Sequence, residues 1–358
     1  MPNASINVRF ANGGFSVERS TVVSLITQRL HTPAPYGRMN PWRLQVQDKS
    51  PQLTDKQMLM LFKPEVLSAS VDSSVVIDRA FECLADHGYD VEGVSLLSGP
   101  YIGKQGIIER HYGQINKVYR ESLAAFPPEA VTTFKEIFGV EPYSCDVLGG
   151  EEFMGSLCLS PRDMAKLWSI SSGSGQVKKL APGVYCMAYS SGRFMDKYLV
   201  NGFHAGQIEN FCGPDRKTVA VSIRSGDKSS SWSKMRSDFA GATDPAKAMT
   251  GSLRNWLLFN KRSLGMATVD MQFNGIHLTA GPLESIAEIS NWFPWIKPDQ
   301  TIMGRLLAGR ITAQNLDILA SNPKVSWSGR EKPLFDHTES MEPEEAATLA
   351  SAIKDQLG

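Results

Sequence analysis

A chain of 358 residues, 42% hydrophobic and 21% charged, is long enough to bury a large core and too apolar for disorder over most of its length. With 37 Lys+Arg against 37 Asp+Glu and no run of four basic residues, it is no general polyanion binder, so no nucleic-acid partner is expected. Five scattered cysteines without a C-x-x-C spacing, an N-terminus without an apolar signal region and the lack of any eighteen-residue apolar stretch predict a cytoplasmic protein with no membrane partner.

Residues 1–55 read as an N-terminal extension, in which HTPAPYGRMNPWRLQVQDKSPQ carries four prolines and predicts an extended, irregular arm. QMLMLFKPE (Gln57 to Glu65) predicts a buried strand stopped by Pro64. Val75, Val76, Ala80, Cys83 and Leu84 follow at helical spacing, with Gly88 placed where a helix end favours a left-handed residue. Tyr89 to Gly99 alternates like a second strand, and Ile107 to Leu123 predicts a helix halted by Pro127-Pro128. Residues 121–214 read as an inserted subdomain. It contains a helix opening on Ser160 as N-cap, a Gly/Ser joint (SSGSGQ) and a strand-like GVYCMAYSS.

Regular alternation resumes at Lys217 to Gly226, another strand, followed by a short helix (SWSKMRSDFAGA) and a turn-rich loop (DPAKAMTGSLRNW). Thr268 to Leu278 predicts the last strand. Leu283 to Phe293 predicts an amphipathic helix with Leu283, Ile286, Ile289 and Phe293 on one face. This order predicts an α+β fold: a ferredoxin-like antiparallel sheet with helices packed on one face, built from residues 56–120 and 215–295. Residues 296–358, with two helical patterns, form a C-terminal helical extension.

Four pieces carry candidate chemistry, and each read singly has an ordinary structural explanation. Lys63 ends a strand, where its ammonium either meets an anion or is simply solvated. Tyr112 is a phenol on a helix, equally a half-buried core residue. Gly241 to Asn255 puts Thr243 and Arg254 on one Gly/Pro/Thr loop, a set of donors suited to phosphate oxygens or a plain turn. His277 sits at a strand end with Glu288 eleven residues on. An imidazole of near-neutral pKa attacks phosphorus readily when a carboxylate orients it, but a lone histidine is more often structural.

Taken in order, the pieces form a pattern: Lys63-Pro64-Glu65, His111-Tyr112, Gly241-x-Thr243-Asp244-Pro245-Ala246 through Gly251-Ser252-Leu253-Arg254, Asn274-x-Ile276-His277, and Glu288-Ile289-Ser290-x-Trp292-Phe293. It resembles nucleoside diphosphate kinase over roughly residues 57–120 and 215–295. The resemblance implies a ping-pong phosphotransfer in which His277 takes the γ-phosphate of ATP or another NTP as phosphohistidine. Glu288 would orient His277, and Thr279 would support that pairing. Lys63, Tyr112, Thr243 and Arg254 would hold phosphates, Asn274 would contact ribose or phosphates, and Mg²⁺ would complete the charge neutralisation. It also implies a homo-oligomer, with the insertion and extensions standing against the family's usual packing.

Departures are equally specific. The family's arginine six residues before Thr243 is Ser237 here, with Arg236 beside it; a one-residue slip in the helix would make Arg236 the candidate. The family's His-Gly-Ser-Asp becomes His277-Leu278-Thr279-Ala280, and its base-stacking Arg-Pro-Phe-Phe segment is absent. Residues that grip phosphate persist while those shaping the base and acceptor do not. Three readings follow. One is phosphotransfer through His277 to a nucleoside diphosphate or another small acceptor. Another is nucleotidyl transfer or ligation with His277 as an electrostatic or acid–base group. The third is a non-catalytic nucleotide-binding module.

Overall fold

The apolar run Gln57–Phe62 is buried at every position, and the first of two units is built around it. The computed structural model describes residues 6–7, 18–32, 41–46, 52–191, 194–225 and 229–357. The first unit comprises Met1–Tyr101 with Asp215–Gly358, and the second Ile102–Pro214. The second unit therefore begins ahead of the inserted block expected from residue 121.

Among the described residues, six strands form the main sheet of the first unit. In chain order they are β1 (Ile6–Asn7), β2 (Trp42–Gln45), β3 (Gln57–Phe62), β4 (Tyr89–Ser98), β5 (Lys217–Ser225) and β6 (Ile276–Leu278). Their order across the sheet is β1-β2-β4-β5-β3-β6, antiparallel throughout except the β1–β2 pair. Strand alternation sends Met58, Met60 and Phe62 to one face. There they join Val219, Val221 and Ile223 of β5 in a core with Val22 and Ile26 of α1 (Arg19–His31) and Ile77 and Phe81 of α2 (Ser73–Asp86). Asp72 caps α2 by accepting from Val75 N, and Gly88 beyond its end has φ +75°, as its position predicts.

Leu59 and Leu61 point the other way, toward the helix Pro282–Trp292. Helices thus lie on both faces of the sheet, which corrects the expected one-sided packing; the fold remains a mixed α+β arrangement of antiparallel sheet and packed helices. The remaining chain adds a second core, in which Leu283 and Ile286 pack with Leu307, Leu319, Leu334, Ala347 and Ile353. A two-stranded hairpin (Lys324–Trp327 with Arg330–Pro333) lies between its helices. The tail is thus helical as expected but carries strands as well.

Two other expectations are corrected. The irregular N-terminal arm contains α1 and the sheet strand β2; residues 33–40 and 47–51 lie outside the described residues. The last strand does not run from Thr268 but starts at Ile276. Asp270 Oδ1 accepts from both Gln272 N and Phe273 N at 2.8 Å, an Asx turn that competes with extended pairing.

In the second unit, four strands lie in the order Asp146–Gly149, Phe194–Val200, Val184–Ser191, Lys178–Ala181, the first pair parallel and the rest antiparallel. The expected helix after Ser160 is present as Pro161–Gly173, with Ser160 Oγ accepting from Asp163 N at 3.2 Å. The single helix expected from Ile107 is two, Ile107–His111 and Gly113–Glu121, divided at Tyr112. The five cysteines form no disulfide, and among the described residues no helix is long and apolar enough to cross a membrane.

Candidate active site

Ile276 and Leu278 of β6 point into the α1/α2 core, so alternation turns His277 to the opposite face, the one it shares with Leu61 of β3. Helix α3 (Leu253–Asn260) precedes β6, and α4 (Pro282–Trp292) follows it with proline in its first turn, where a missing N–H costs nothing. Glu288 on α4 is buried, and its Oε1 lies 2.7 Å from His277 Nε2. Its Oε2 accepts from Thr279 Oγ1 at 2.6 Å, and that hydroxyl in turn accepts from Leu59 N at 2.8 Å. A backbone amide, a hydroxyl and a carboxylate thus run in series to the imidazole. Ionised Glu288 would hold a protonated ring by a charge-assisted contact.

One helical turn before Glu288 on α4 stands Glu284, its carboxylate accepting from Ala280 N at 2.8 Å. Burial, with the neighbouring Glu288 carboxylate adding to it, pushes Glu284 up to about 8, against the pull of the Ala280 N–H and Arg236. Burial thus favours the protonated form of Glu284.

His277 opens on a cleft of about 810 Å³. Arg236, Lys247 and Arg254 supply positive charge to its lining, and Ser233, Ser237, Thr243 and Ser340 supply hydroxyls; no carboxylate is among the described lining residues, but Asp244 lies 3.6 Å from Lys247 and Glu339 pairs with Arg236. The segment Met235–Ala240 is π-helical, and its wide turn brings both Arg236 and Ser237 to the cleft, so Arg236 reaches the wall despite standing one residue away from the expected arginine position. Arg254 Nη1 donates to Gly241 O at 2.6 Å and Nη2 to Ile276 O at 3.1 Å, tying the loop to the histidine strand. Gly241 has φ +84°, and a Cβ there would meet Ser252 Oγ at 2.4 Å, so the turn that shapes this wall requires glycine.

Lys63 and Asn274 stand behind the loop and are not part of the cleft lining. Lys63 is buried, and its Nζ donates to Asn274 Oδ1 at 2.7 Å; Asn274 Nδ2 donates to Thr243 O at 3.1 Å. Burial brings Lys63 down to about 8, with Arg254 lowering it further and Glu65 and Asp270 opposing. Glu65 Oε1 also accepts from Gly275 N at 3.0 Å. The three motifs that carry Lys63, Thr243 and Asn274 are therefore joined in one hydrogen-bonded series. Tyr112 belongs to the second unit, where its ring meets His111 edge-on at 4.7 Å and His204 at 6.1 Å.

Four participants escape the sequence reading. Glu284 was visible in principle, because four residues before Glu288 is the same helical face. Lys247, inside the turn-rich loop, had only its charge to mark it. Glu339 and Ser340, which engage Arg236, come from the C-terminal extension and carry no local signal. Ser340 N donates to Ala280 O at 2.9 Å, and a Cβ on Gly281 would meet Thr338 O at 2.5 Å. The Ala280-Gly281 departure is thus the seat of the tail. No family model matches the sequence, and no curated protein matches it.

Proposed function

We propose that this chain is a nucleotide-dependent phosphotransferase resembling nucleoside diphosphate kinase, with His277 as the phosphate carrier and a nucleoside diphosphate or another small molecule as acceptor. The observation that carries the reading is the Glu288–His277 contact at the edge of a cationic cleft. The four strands β3, β4, β5 and β6 support a ferredoxin-like assignment, since they lie in the order second, third, first, fourth with every neighbour antiparallel.

In this reading the ring proton lies on Nε2, 2.7 Å from Glu288 Oε1, which leaves the lone pair on Nδ1. Nδ1 attacks the γ-phosphorus of the triphosphate, the bond to the bridging oxygen breaks, and the nucleoside diphosphate departs with that electron pair. Imidazolium charge that develops on His277 is balanced by Glu288, whose position Thr279 fixes. In the second half, an acceptor oxygen attacks the phosphohistidine, the P–N bond breaks and its electron pair returns to Nδ1. Arg236, Arg254 and Lys247 neutralise the equatorial phosphate oxygens in both halves. The cleft lining is cationic and hydroxylic, a donor set that suits a triphosphate arriving as its Mg²⁺ complex, with the ion on phosphate oxygens and water.

Incubation with γ-labelled ATP leaves acid-labile, base-stable label on the protein, and His277→Ala removes the label and lowers turnover by about 10³-fold or more. Retained activity in that variant would remove the reading. Turnover without label would favour nucleotidyl transfer or ligation, and binding without turnover would favour a nucleotide-binding module.

A further inference from the structure

Arg236 is a cleft cation whose side chain is held by the C-terminal extension. Its guanidinium pairs with the Glu339 carboxylate, and its Nη1 donates to Ser340 Oγ at 3.0 Å. That segment is fixed in place by Ser340 N, which donates to Ala280 O three residues beyond His277. A carboxylate on a guanidinium makes the same charge-assisted contacts as a phosphate group. Glu339 is half exposed, so it can swing away without opening the core.

We propose that Arg236 and Ser340 form an anion subsite at the cleft wall, that Glu339 engages Arg236 at rest from beyond the lining, and that a substrate phosphate displaces this carboxylate. The inference rests on the phosphotransferase reading, which makes the ligand a polyphosphate ester. Its consequence is regulatory: the tail sets the affinity of the cleft by competing for one of its cations, and any partner or modification that draws Glu339 off Arg236 tightens substrate binding. Guanidinium–carboxylate pairs of this exposure are worth little, so the competition is modest, about two- to five-fold in affinity.

The test is calorimetric titration of the full chain with Mg²⁺-ATP. Glu339→Gln tightens binding by about two- to five-fold, Arg236→Ala weakens it, and Glu339→Gln has no further effect in the Arg236→Ala background. Unchanged or weaker binding by Glu339→Gln overturns the proposal, as does the same tightening without Arg236. Loss of the histidine label with the affinity change intact would remove the phosphohistidine reading alone. An intact label with unchanged affinity would remove the subsite alone, and no ATP binding by the wild-type chain would remove both.

Discussion

Thr279 shows how much a single side chain carries here. Its hydroxyl accepts from Leu59 N and donates to Glu288, and it is fully buried. Thr279→Val keeps the shape but leaves an amide and a carboxylate oxygen unsatisfied. The expected cost is about 1–3 kcal/mol in unfolding free energy, measured by denaturant titration, together with reduced phosphotransfer as Glu288 loses its anchor. Glu284 gives the pH dependence. In the unfolded chain it ionises near 4.5, and in the folded chain near 8. Between those values the folded state binds more protons, so stability falls as pH rises through the window. Melting temperatures from about pH 5 to about pH 8 should fall more steeply for wild type than for Glu284→Gln, which mimics the protonated form. Parallel curves would contradict the assignment.

The elements most legible in the sequence were those where one physical signal dominates. Gln57–Phe62 is apolar at nearly every position, Ser160 caps a helix, and Gly88 terminates one. Helix α1 was obscured because its stripe of Val22, Val23, Ile26 and Leu30 is narrow and is followed by prolines that dominate the local composition. The segment before β6 was misread as strand because Thr, Val, Met and Phe favour strands, while the Asp270 turn and Gly275 override them. Gly275 has φ +79°, and a Cβ there would come within 2.5 Å of Leu257 Cδ1 and 2.9 Å of Val66 Cγ1. Gly275→Ala should therefore cost about 2–5 kcal/mol from backbone strain and overpacking combined, read as a fall in the denaturation midpoint. An unchanged midpoint would show that this turn does not set the start of β6.

At the scale of the molecule, the His277 and Glu288 pairing was legible because strand, tight turn and helix fix their separation within one stretch of chain. The tail's role was not, since Glu339 and Ser340 reach the cleft only through tertiary docking. That docking is extensive: Glu342 accepts from Trp232 N at 2.7 Å, Lys56 Nζ lies 3.2 Å from the same carboxylate, and Ile302 N donates to Gln57 at 2.9 Å. Trp232 Nε1 donates to Thr279 O at 3.1 Å, so the same tryptophan touches both the tail and the strand that carries the site. An extension that reads as an appendage thus contributes Ser340 to the cleft lining and Glu339 to Arg236.

In the proposed reaction Glu288 holds Nε2 of His277 so that Nδ1 carries the phosphate. The most direct measurement is phosphorus NMR of protein treated with ATP, combined with peptide mapping under conditions that preserve phosphohistidine. The expected result is one phosphohistidine at His277, linked through Nδ1 and lost in His277→Ala. A phosphate on Nε2, on another residue, or on none while ATP is bound and consumed would contradict it.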